Sequence, residues 1–102
     1  MGEALHTIER VQNYVQQFGE EPFFERTLRK MLDYRAEQYD RELKEIEGDL
    51  RRFEQQYDLS TAAFLEEFQA GRMGDDMDFL EWASLHRMKN RIQARKYALE
   101  GV

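Results

Sequence analysis

The chain predicts an all-α protein, an elongated, coiled-coil-like antiparallel helical hairpin with two long helices, a short corner helix and an N-terminal helix. Three observations carry this expectation. Glu, Lys, Arg, Gln, Leu and Ala abound, whereas Val, Ile, Thr, Gly and Pro are sparse, and that balance favours helix. Apolar residues recur every three or four positions through most of the chain, the period of one helix face. One stretch keeps an alternating four-and-three spacing for more than three heptads.

A first helix is expected over about residues 3–18, where Leu5, Ile8, Val11, Val15 and Phe18 form one stripe. Gly19 is placed to end it in a left-handed conformation, and Pro22 suits the first position of a second helix, where a missing N–H costs nothing. That second helix should run to about Tyr57. Its seam is Leu32, Ala36, Tyr39, Leu43, Ile46, Leu50, Phe53 and Tyr57. Gly48 falls inside this run and costs about 1 kcal/mol relative to Ala. It lies off the seam, whose phase passes it unchanged, so the helix is expected to continue. A helix of this length is roughly 50 Å long, against a radius of gyration near 13 Å for a compact domain of this size. More seam is therefore expected than one short chain can cover. That points to a homodimer or a bound partner, with Leu32, Tyr39, Leu43, Ile46, Leu50 and Phe53 as self-association residues.

The third helix, about 60–70, begins at Ser60, a good N-cap, with Leu59 and Phe64 spaced as a hydrophobic staple. Gly71 is its expected stop. Asp75 or Asp76 can cap a fourth helix, about 76–99, whose first turns are acidic and last turns basic, as the helix dipole prefers. Phe79, Leu80, Trp82, Ala83, Leu85, Met88, Ile92 and Leu99 supply its apolar face. The second and fourth helices should lie antiparallel. No repeat, low-complexity segment or linker divides the 102 residues, so a single domain is expected.

The formal charge of −6 is unevenly spread. Residues 36–81 carry five bases and fourteen acids, whereas residues 82–102 carry Arg87, Lys89, Arg91, Arg95 and Lys96 against Glu100. The basic stretch can be read as a nucleic-acid arm. The reading preferred here lays it along the acidic helix, and the acidic middle repels phosphate. Nucleic acid is thus not the expected partner. The absence of cysteine excludes disulfides, thiol nucleophiles and Cys-ligated metals. No apolar run reaches the ~20 residues of a membrane span, and no signal peptide is evident, so the cytoplasm is the expected location.

No residues assemble into a catalytic or cofactor-binding pattern. The acids around Asp75, Asp76, Asp78 and Glu81 lack the alternation, sixth-position glycine and twelfth-position glutamate of an EF-hand. Glu3-Ala4-Leu5-His6 matches the Glu-x-x-His step of di-iron bundles, which need that step twice, and Ala83 stands where His86 would require a second glutamate. Ser60 reads as a cap and Ser84 as part of a helix face. Gly71-Arg72-Met73-Gly74 has neither the lysine nor the strand of a phosphate-binding loop. A non-enzymatic protein without metal or cofactor is expected.

Aromatic residues make up 13% of the chain, and Phe53, Tyr57, Phe64, Phe68, Phe79 and Trp82 gather at the expected corner. They can hold the hairpin's end together as a small core. Part of the cluster can also face a protein partner, since aromatic residues dominate interface hot spots. Phe23 and Phe24 point about 100° apart on a helix, which puts one of them off the main stripe as a docking point.

From Phe53 the chain reads Phe-Glu-Gln-Gln-Tyr-Asp-Leu-Ser, then Phe64, Phe68-Gln-Ala-Gly, Gly74-Asp75 and Asp78-Phe79-Leu80-Glu81-Trp82-Ala83. Over residues 36–100 this resembles a group of short bacterial and archaeal proteins that serve as antitoxins of toxin–antitoxin pairs. The first helix and Pro22-Phe23-Phe24 lie outside the resemblance. It implies a protein that binds and neutralises a small toxin, commonly a basic nuclease, and an acidic helical surface would steer such a partner in. The expected contact residues are Phe23, Phe24, Phe64, Phe68, Asp75, Asp78, Phe79, Glu81 and Trp82. The alternative is a self-associating coiled-coil scaffold with no toxin partner.

Overall fold

The computed structural model describes residues 2–101, which form four helices: α1 (Glu3–Phe18), α2 (Pro22–Tyr57), α3 (Thr61–Gln69) and α4 (Met77–Leu99). No strand occurs among the described residues. α2 passes Gly48 without interruption, as its unbroken seam requires.

Each helix end has a local cause. Ser60 stands just outside α3 in extended backbone and accepts from the Ala63 N–H at 3.1 Å. Asp76 does the same for α4, accepting from the Asp78 N–H at 2.9 Å. α3 closes with the Gly71 N–H bonded to the Phe68 carbonyl and the Arg72 N–H to that of Glu67, the paired pattern that a left-handed residue allows. The Arg72 side chain then returns to Glu67 with two N–H donors, at 2.6 and 3.2 Å. α2 ends in the same way around Asp58, a non-glycine residue at φ 48°, with the Leu59 N–H on the Glu54 carbonyl. Gly19 departs from expectation. Its φ of 91° is positive, but ψ of 167° is extended and lies outside the left-handed helical well, so it turns the chain rather than closing α1 with a further loop of helix.

The chain divides into two compact units, one up to Tyr34 and one from Arg35 onward, where a single domain was expected. In the first unit no residue of α1 is buried. The contacts that tie α1 to the start of α2 centre on Tyr14. Its ring lies 5.3 Å from that of Phe24, and its hydroxyl donates to Glu21 at 3.0 Å.

The second unit holds the core. Ile46 and Leu50 of α2, Phe64 of α3, and Trp82, Ala83 and Leu85 of α4 are buried together, with Phe53, Tyr57, Leu59, Phe68 and Phe79 packed around them. Within this unit α2 and α4 run antiparallel. Asp40 meets Lys96 at one end and Tyr57 meets Asp78 at the other, so residue numbers rise along α2 as they fall along α4. This is the hairpin that the periodicity implies, with α3 at its corner.

The expected role of the heptad seam needs correction. Ile46 and Leu50 are buried against α3 and α4, Tyr39 is buried too, and Leu43 and Phe53 are half-buried. α4 supplies the cover that a second copy was expected to give. Of the six self-association residues, only Leu32 is exposed.

Candidate protein-interaction surface

The corner is built on Trp82. Its indole is fully buried and lies flat against Phe64, with ring centroids 3.9 Å apart and planes 2° from parallel. Phe53 and Tyr57 stack on it at 5.6 and 5.9 Å. A buried indole N–H needs an acceptor. Here Nε1 donates to the Thr61 hydroxyl at 3.0 Å, and that hydroxyl donates to the Glu54 carboxylate at 3.0 Å. The Thr61 backbone N–H also reaches Glu54, at 2.8 Å. One residue from each of α2, α3 and α4 is thereby locked into a single relay. No buried side-chain polar atom among the described residues lacks a partner. Sequence reasoning missed Thr61 and Glu54, although a tryptophan assigned to an apolar face was itself a signal that some acceptor must approach it.

These contacts correct part of the expected contact set. Phe64 and Trp82 are fully buried, so neither touches a partner in this fold. Phe68 and Phe79 are half-buried against the same core, Phe64 stacking on Phe68 and Tyr57 meeting Phe79 at a tilt of 59°. Asp78 is engaged by the Tyr57 hydroxyl and is half-buried. Asp75 and Glu81 are exposed. Phe23 is 62% exposed while Phe24 is half-buried against Tyr14, and both belong to the other unit.

The Tyr57–Asp78 bond holds the Tyr57 hydroxyl in its protonated form. That hydrogen bond, with desolvation and the neighbouring carboxylates, pushes its pKa up to about 12 from the ordinary 10. The group is therefore protonated in folded and unfolded chains alike below pH 10. Its stabilising contribution is complete there and is lost as pH rises from about 10 to about 12. Absorbance titration of the tyrosines should show one late step near pH 12 that is absent in Tyr57→Phe, while folding stability of the wild type falls across that window.

What remains open on the second unit is the outer face of α4. Met77 is 76% exposed and Leu80 45%, and Glu81 and Met88 are exposed on the same side of the helix. Leu80 was assigned to the buried face from its hydrophobicity, but its position lies about 100° from Phe79 and about 160° from Trp82 around the helix, away from the side they bury. Arg87, Arg91 and Arg95 continue this outer face toward the C-terminal end, exposed and without an ion-pair partner among the described residues. The expected charge seam between α2 and α4 amounts, among the described residues, to one cross-helix pair, Lys96 to Asp40 at 2.7 Å, which raises the Lys96 pKa.

A groove of about 930 Å³ runs between α2, α3 and α4, with Glu47, Glu54 and Glu66 facing Arg51, His86 and Lys89. With His86 neutral, the lining carries three carboxylates against two cations. No group of three or more His, Asp or Glu converges as metal ligands would among the described residues. No helix is long and apolar enough to cross a membrane among them.

No family model matches the chain, and no curated protein or solved structure is significantly similar to it.

Proposed function

We propose that this chain is a non-enzymatic, cytoplasmic protein-binding module of the antitoxin type, which captures a small basic toxin at the acidic N-terminal end of α4's outer face, away from Arg87, Arg91 and Arg95. The observation that carries this reading is the mixed patch at the start of that helix. Met77 and Leu80 offer soft apolar contact beside the exposed carboxylates of Asp75 and Glu81, neither of which has a cationic partner among the described residues. The surplus of acids over residues 36–81 steers a basic protein toward the same unit. The aromatic relay beneath keeps α4 rigid, so little ordering cost accompanies docking.

Co-expression with the protein encoded beside it tests the reading. A stable complex and rescued growth are expected. Asp75→Lys combined with Glu81→Lys should weaken that complex at least about tenfold, roughly 1.4 kcal/mol, and the loss should shrink at high salt. Absence of both complex and rescue would remove the proposal.

A further inference from the structure

The first unit presents an apolar surface that stays exposed among the described residues. Leu5 is 64% exposed, Phe18 65%, and Ile8, Phe23, Leu28, Met31 and Leu32 are exposed as well. An amphipathic stripe that finds no second layer within its own unit requires one from outside. We infer that residues 3–34 form a two-fold interface between two copies of this chain.

Area admits a second copy and charge selects it. At about 200 Å² for a whole large side chain, the exposed fractions of Leu5, Ile8 and Phe18 on α1 and of Leu28, Met31 and Leu32 on one side of α2 amount to on the order of 600 Å² of apolar surface per copy. A standard protein–protein interface needs about 800 Å² from each partner, a little over half of it apolar, which this surface meets. The charges are self-complementary. Residues 1–21 carry Glu3, Glu9, Glu20 and Glu21 against Arg10, a balance of −3, while residues 22–34 carry Arg26, Arg29 and Lys30 against Glu25 and Asp33, a balance of +1. Arg29 is already paired with Glu25, which leaves Arg26 and Lys30 without a carboxylate among the described residues. A two-fold axis sets the acidic arm of each copy on the basic stretch of the other. A basic partner is instead drawn to residues 36–81, where acids exceed bases by nine.

The interface differs from the heptad seam first expected to carry self-association, which α4 occupies. It is also independent of toxin capture, because it is read on the purified chain alone. Light scattering on the full-length protein at micromolar concentration should give twice the chain mass of 12.3 kDa. Ile8→Lys with Phe18→Lys, both exposed positions, should return the mass to that of one chain, with helical circular dichroism and Trp82 emission unchanged. A charge exchange supplies the second measurement. Glu9→Lys with Glu20→Lys should raise the dimer dissociation constant at least about tenfold, and adding Arg26→Glu with Lys30→Glu should restore it. A wild-type mass of one chain overturns the inference, including the case in which a foreign protein fills this face. So does a dimer indifferent to the double lysine variant, or one that the charge exchange does not restore.

Discussion

Trp82→Ala is expected to destabilise the second unit by about 3–5 kcal/mol, the range for removing a large aromatic side chain from a packed core. Two losses combine. The cavity left at the corner strips Phe53, Tyr57 and Phe64 of their central stacking partner. The Thr61 hydroxyl loses the donor that links it to α4 while still carrying the Glu54 bond. Set against a total of about 5–15 kcal/mol for a small domain, this change removes from about a fifth of the stability to all of it. Urea titration followed by circular dichroism would show the midpoint falling by that fraction of its wild-type value. Trp82→Phe keeps most of the stack and loses the indole N–H, so it should fall well short of the alanine variant. Equal losses in the two variants would mean that the hydrogen-bonded relay, rather than the stack, holds the corner.

Gly48 supports a pair of substitutions with opposite signs. A Cβ there meets no atom within 4 Å, and the residue lies in the interior of α2 with no positive φ to favour glycine. Gly48→Ala should therefore raise stability by about 1 kcal/mol, or some 4–8 °C in melting temperature for a domain of this size. Gly48→Pro should lower it by about 3 kcal/mol, since proline removes an intrahelical hydrogen bond and clashes with the preceding turn. The damage would fall between Ile46 and Leu50, which face the core on either side. Thermal melting of the two variants measures both shifts. A neutral proline would contradict the continuous helix on which the hairpin depends.

Much of this fold was legible in the linear chain because its causes are local. The seam from Leu32 to Tyr57 marks α2, and its constant phase explains why Gly48 does not break the helix. Ser60, Asp76 and Gly71 act within a few residues of where they stand, which is why the helix ends fall within one position of expectation. Asp58 was not foreseen in a left-handed conformation, since the preference is strong only for glycine.

The interaction surface was less legible. Phe64 and Trp82 were reasonable hot-spot candidates by residue type, but type does not tell a core aromatic from an interface one. Leu80 and Met77 have the composition of core residues, and their exposure follows from the side of α4 that α2 and α3 happen to cover. The self-association seam failed for a related reason, because a heptad records that a helix is covered without naming the cover.

By itself the sequence determined the class of fold, the span of each helix, the antiparallel arrangement of α2 and α4 and the acidic character of residues 36–81. Periodicity, capping and charge are properties of neighbours along the chain, and a single strand of letters carries them. Only the tertiary structure decided that α4 occupies the heptad seam, that Trp82 reaches Glu54 through Thr61 and that Leu5, Ile8 and Phe18 stay exposed while Val11 and Val15 between them are half-buried. Burial is settled by which surfaces meet in space, and residues far apart in the chain compete for the same partner.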